Sequence, residues 1–152
     1  MTTIWLAVFG LAVGSFLNVL AFRYDPARFL FAKKIIGGRS FCPHCRNKLK
    51  WFELIPLLSF IFLRAHCRNC RAKISFQYPL VELASGLIFV LVPLSISSIF
   101  PFVNSSIFYF LFSIFYVLVF LTLLVITLID IRLRLIPDEA NLFLIILGVG
   151  LV

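Results

Sequence analysis

Apolar and polar residues fall along this chain in long blocks instead of alternating with a strand or amphipathic-helix period. The first block, Ile4 to Phe22, is 19 residues without a charge. At ~1.5 Å per residue it nearly covers a ~30 Å hydrocarbon core, so it predicts a transmembrane helix. Polar sequence follows from Arg23 to about Pro79. An apolar stretch from Leu80 to about Phe102, a short polar link at Asn104 to Ser106, and an uncharged 23-residue run from Ile107 to Ile129 predict two more spans. A fourth apolar segment, Ala140 to Val152, has 13 residues. That is about 20 Å of helix, short of a full crossing, so the expectation is a span cut off by the end of the chain, unless the segment is re-entrant or buried against protein. The predicted class is an all-α polytopic membrane protein with about four transmembrane helices, the last truncated. Its parts are a first span (1–22), a polar loop (23–79) and the remaining spans (80–152).

Composition agrees: 62% of the 152 residues are hydrophobic and 13% charged, which excludes a disordered chain and an ordinary soluble domain. Placement of the +8 net charge adds a side to the picture. Twelve of the 14 basic residues lie between Arg23 and Tyr78, and the other two are Arg132 and Arg134. The link at Asn104 to Ser106 has none. Short loops rich in Lys and Arg stay in the cytoplasm, which predicts the amino terminus outside, the basic loop inside, the link outside and Asp130 to Glu139 inside. A cleaved signal peptide is the competing account of the first block, but no Lys or Arg precedes it. Positive charge flanking spans is explained by topology and by attraction to anionic lipid, so no nucleic-acid partner is expected.

All four cysteines sit in the basic loop, as Cys42-Pro43-His44-Cys45 and Cys67-Arg68-Asn69-Cys70, with 21 residues between the pairs. Two such knuckles suit tetrahedral zinc, since each turn aims two thiolates at one ion and together they close the site. Cys42, Cys45, Cys67 and Cys70 are therefore the expected ligands of a structural zinc. Two disulfides are the alternative, disfavoured in a reducing cytosol. Arg46, Arg68 and Arg71 would offset the charge of four thiolates. His44 and His66 adjoin the cysteines and are alternative ligands, read here as surface residues because four thiolates suffice. With few apolar residues of its own, the loop would draw folding free energy from the metal.

An ordered set of motifs then resembles a known family. It comprises Gly14-Ser15-Phe16-Leu17-Asn18-Val19 before Arg23, Arg39-Ser40-Phe41 leading into the first cysteine pair, and Ile55-Pro56-Leu57-Leu58-Ser59. After the second pair come Ile74-Ser75, Tyr78-Pro79-Leu80-Val81-Glu82 and the stretch from Ile129-Asp130 to Ile136-Pro137-Asp138. In this order the set is similar to the amino-terminal portion of the type IV prepilin peptidases, the A24 aspartic peptidases of pilus and type II secretion systems, with the last stretch resembling the start of the catalytic domain. The resemblance implies a multi-pass enzyme of the bacterial inner membrane that cleaves the leaders of type IV prepilins or pseudopilins at the cytoplasmic face. In many members the new amino terminus is also N-methylated with S-adenosylmethionine. No glycine-rich fingerprint for that cofactor follows a predicted strand here, so methylation rests on the resemblance alone.

The family uses two aspartates, and the resemblance places the first at Asp130; the second belongs to a downstream Gly-x-Gly-Asp. Here Gly148-Val149-Gly150 is followed by Leu151, so that partner is expected beyond this chain, which alone would be inactive. Aspartyl hydrolysis needs two carboxylates sharing a proton, and partial desolvation at the membrane boundary would raise Asp130 toward that use while Arg132 and Arg134 oppose it. A plain topological cap is the bland account of Asp130. Asp138 and Glu139, after Pro137, suit the positive end of the last helix. Glu82 can serve function or cap the second span equally well. Gly14, Ser15 and Asn18 suit helix packing, with Asn18 also a candidate neighbour of the site. Phe108, Phe110, Phe112 and Phe115 read as lipid-facing or core bulk. A different class of function stays open: a membrane-anchored zinc-ribbon module that binds an assembly partner and has no chemistry.

Overall fold

A computed structural model describes residues 1–27, 37–99 and 106–149. Arg28, Lys33 and Lys34 of the basic loop, Asn104 and Ser105 of the predicted link, and Gly150 to Val152 lie outside the described residues. The helices are α1 (Thr2–Arg23), α2 (Leu58–Phe62), α3 (Gln77–Ile99), α4 (Ser106–Leu133) and α5 (Asp138–Val149), with a 3-10 turn at Trp51–Leu54. Among the described residues there is no strand, only isolated antiparallel bridges at Phe41 with Lys48 and His66 with Lys73.

Three helices are long and apolar enough to cross a membrane: Thr2–Arg23, Gln77–Ser98 and Ile107–Leu133. All carry large exposed apolar side chains, among them Trp5, Phe9, Leu83, Leu87, Phe108 and Phe120. A helix apolar on every face belongs in lipid or in a large core, and the described residues bury only a small one. The boundaries differ modestly from the sequence expectation. α3 begins at Gln77, before Leu80, and α4 runs through Asp130 to Leu133 instead of stopping at Ile129. The fourth apolar segment forms the 12-residue α5, which starts at Asp138 directly after the buried Pro137, a residue suited to a helix entry.

α1 packs mainly on α3. A Cβ on Gly14 would lie 2.8 Å from the Cα of Glu82 and 2.8 Å from the Cβ of Ser85, and one on Gly10 would lie 2.9 Å from the Cα of Gly86. Only glycine lets the backbones approach this closely, the small-residue packing that membrane helices use in place of a hydrophobic driving force. As numbers fall on α1 they rise on α3, so the two helices are antiparallel. At one end, the Asn18 amide donates to the Tyr78 carbonyl at 3.1 Å. At the same end the Arg132 guanidinium of α4 donates to the carbonyls of Ala21 and Phe22, while Tyr109 near the other end of α4 donates to Pro93 of α3 at 2.7 Å. The end of α1, the start of α3 and the end of α4 therefore meet. Leu20, Ala21, Val81, Val125, Leu128 and Ile129 form a buried cluster there, just beneath Asp130.

Candidate metal centre and the polar end of the helix bundle

The loop between α1 and α3 folds as two matching knuckles. In the first, the Cys42 N–H donates to Asn47 O at 3.0 Å and Arg46 N–H to Cys42 O at 2.9 Å; in the second, Cys67 N–H donates to Ala72 O at 2.8 Å and Arg71 N–H to Cys67 O at 2.9 Å. Each turn closes on an arginine in the left-handed region, Arg46 at φ 55° and Arg71 at φ 54°. That conformation costs an L-residue about 1–2 kcal/mol, and it recurs at matching positions of the two turns.

The four thiols converge. All are free, their Sγ atoms lie within 4.8 Å of one another, and two cross-knuckle separations, Cys42 to Cys70 and Cys45 to Cys67, are 3.9 and 4.0 Å. A tetrahedron of ~2.3 Å Zn–S bonds has edges of about 3.8 Å, so the donor set fits zinc in size, number and chemistry. These separations are about twice the ~2.05 Å of a disulfide. The Asn47 N–H aimed at Cys45, outweighing the cost of burial, pulls that thiol down to about 7. The N–H groups of Cys70 and Asn69 lower Cys67. At Cys70 the Ala72 N–H pulls the other way, but burial and the thiols of Cys45, Cys67 and Cys42 hold it up to about 11. A cation held among the four sulfurs would favour the thiolate form of all of them. His44 is exposed and His66 Nδ1 lies 2.5 Å from Arg64 O, so neither histidine joins the cluster, as expected of surface residues.

A polar lock joins the ribbon to the bundle. Glu82 is only 7% exposed, and its carboxylate accepts from the Leu57 N–H at 2.8 Å, with the Ser15 hydroxyl beside it. Leu57 has φ 59° and ψ −47°, and the Leu58 N–H donates across it to Pro56 O at 2.6 Å. This is a γ-turn with a positive-φ centre, a strained form that persists only where its surroundings over-determine it. Glu82 supplies that restraint. The sequence left Glu82 evenly divided between capping and function; its partner turns out to be a loop amide 25 residues away, which no local motif could announce. Arg132, placed by the sequence only as a charge beside Asp130, instead caps the carbonyl end of α1 and stacks 4.7 Å over the Phe22 ring. Arg23 ties the same end to the ribbon through Gly37 O at 2.6 Å and Arg39 O at 3.0 Å.

Asp130 lies in the last turn of α4, at the ribbon's end of the bundle, with its side chain exposed rather than enclosed by protein. Asp138 and Glu139 occupy the first turn of α5, where a helix dipole favours carboxylates. They are near enough to act on Tyr24: burial first, then the carboxylates of Glu139, Asp138 and Asp25, push its phenol above the usual value. Asp138 and Glu139 therefore lie near the exit of α1, at the end of the bundle where α4 carries Asp130.

The bacterial Peptidase A24 N-terminal domain family matches residues 8–96, a span that holds most of α1, both cysteine knuckles, Leu57 and Glu82. The chain belongs to this family. Among curated relatives it is 51% identical over 86 residues to a prepilin leader peptidase/N-methyltransferase of Myxococcus xanthus, covering 57% of this chain and 24% of that protein. Identity is 38% over 135 residues to a protein of the same name from Klebsiella pneumoniae, covering 88% of this chain and 54% of that one. With its Bacillus subtilis counterpart identity is 34% over 138 residues, covering 91% and 49%. The chain thus spans about half or less of the length of these relatives. No solved structure matches it.

Proposed function

We propose that this chain is the amino-terminal membrane and zinc-ribbon portion of a prepilin peptidase, an aspartic endopeptidase that cleaves the leaders of type IV prepilins or pseudopilins at the cytoplasmic face of the bacterial inner membrane. The observation that carries the reading is the extent of the match. Alignments covering 88% and 91% of the chain are too long to stop short of Asp130, and both are to proteins named prepilin leader peptidase/N-methyltransferase. Cys42, Cys45, Cys67 and Cys70 hold a structural zinc, whose charge would keep all four as thiolates and supply folding free energy to a loop poor in apolar contacts. The basic loop and Asp130 face the cytoplasm, with the amino terminus outside.

In this reading Asp130 is one of the two carboxylates that share a proton. One takes a proton from water and the other donates to the scissile carbonyl, and like-charge proximity separates their affinities for the proton. This chain's contribution is position. α4 holds Asp130 at the membrane boundary, Arg132 is turned away onto the α1 carbonyls instead of pairing with it, and the ribbon lies at the same end. Methyl transfer from S-adenosylmethionine belongs to the same proposal through the relatives' shared name, with no residue of this chain assigned to it.

The test is cleavage of a prepilin by the enzyme in membranes. Asp130→Asn should abolish cleavage while leaving zinc content and folding unchanged; cleavage that survives it would overturn the mechanism. If the chain were a non-catalytic ribbon module, Asp130→Asn would leave function intact while Cys42→Ser destroyed it.

A further inference from the structure

Between the two knuckles runs the segment Trp51 to Leu63, and about half of its apolar side chains face outward. Trp51 is 78% exposed, Ile61 68% and Phe62 80%, with Leu54 and Leu58 also exposed. An outward apolar set of this kind needs a cover. The lock described above says where the segment lies. Glu82 is five residues into α3, about 7.5 Å along its axis. The span-competent part of α3, Gln77–Ser98, is 22 residues, about 33 Å, close to the whole hydrocarbon thickness, which puts Glu82 about 6 Å inside the hydrocarbon boundary. Because Leu57 N–H is bonded to that carboxylate, Leu57 sits at the same depth. A few residues on, the Phe60 ring lies 5.3 Å from that of Phe76, the residue just before α3. The short helix α2 therefore lies at the boundary between headgroups and acyl chains, not above the membrane.

We propose that Trp51 to Leu63 is an interfacial anchor, seated in an anionic lipid leaflet, that holds the ribbon against the membrane at the end where Asp130 lies. Charge selects this occupant. The segment's one charged residue is Glu53, and its carboxylate is engaged by the Lys50 N–H at 2.7 Å. Around it stand Lys48, Arg68, Arg71 and Lys73 on the two flanking knuckles and Lys50 and Arg64 beside them, all exposed. Apolar residues with a Trp at the boundary and a basic surround are the pattern that binds anionic headgroups, with each Lys or Arg near the surface adding about 1 kcal/mol. The anchor rests on the reading of α3 as a membrane span, and it extends the proposed enzyme by giving the inter-knuckle segment a task distinct from metal binding.

Tryptophan quenching in bilayers tests it. The full chain with W5F, W51F and F62W carries one tryptophan on α2, to be reconstituted with zinc into phosphatidylglycerol-containing vesicles whose acyl chains are brominated near the headgroup. A chain with only Trp5, from W51F, serves as the span control, and I61W replaces F62W if that variant misfolds. The anchor predicts at least about a twofold loss of emission from position 62 in brominated bilayers, together with protection from aqueous iodide, as for a side chain ~5–10 Å into the boundary. Iodide access without bromine quenching would overturn the anchor. Protection from both quenchers would overturn it too, and would point to a protein cover such as a bound peptide. If Trp5 also escapes bromine, it is the membrane reading of the helices that fails.

Discussion

Among single residues, the cysteines and Glu82 carry the sharpest expectations. A tetrathiolate centre loses its closed geometry when any ligand is removed, so Cys42→Ser or Cys67→Ser should reduce bound zinc from about one ion per chain to nearly none by elemental analysis. Chelation should do the same to the unaltered protein and open the loop to protease, with the helices left intact. At Glu82 the relevant quantity is the amide it satisfies. Glu82→Ala leaves the Leu57 N–H without its partner and should cost about 1–3 kcal/mol, read as a lower unfolding midpoint in detergent. Glu82→Gln keeps an acceptor oxygen and should recover most of that loss. A neutral Glu82→Ala would mean that the lock contributes nothing.

For the helices, two glycines separate packing from propensity. Gly14→Ala puts a methyl group 2.8 Å from α3 backbone, so the helices must part, at a cost of about 1–3 kcal/mol. Gly148 has nothing within 4 Å of where a Cβ would stand, so Gly148→Ala should be neutral or stabilising by up to about 1 kcal/mol, since only helix propensity changes. Thermal unfolding of the two variants side by side checks the pair. Equal effects would mean that the close α1–α3 approach is not what glycine is there for.

The whole molecule is polarised: ribbon, Asp130, Asp138 and Glu139 share one end of the bundle because α1 and α3 are antiparallel and α4 returns alongside α1. In the proposed topology that end faces the cytoplasm. Trypsin, which cuts after Lys and Arg, should therefore cleave the ribbon in inverted inner-membrane vesicles but not in spheroplasts, where a tag on the amino terminus should be the accessible part. Cleavage of the ribbon in spheroplasts would reverse the proposed topology.

Most of the architecture was legible in the sequence because its causes are local or additive. Uninterrupted apolar length predicts spans and Cys-x-x-Cys spacing predicts a knuckle, neither of which needs knowledge of distant contacts. The helix limits were less legible: α4 passes Ile129 and carries Asp130 within it, since the first charge in a run does not end a helix whose backbone bonds continue. Tertiary structure alone decided three matters. It brought two knuckles 21 residues apart to one tetrahedral spacing, turned Arg132 from a neighbour of Asp130 into the cap of α1, and bonded Glu82 to the strained amide of Leu57. Each of these is a contact between segments distant in the chain, set by how closely the helices pack, and the spacing of residue types along a sequence carries no record of such an approach.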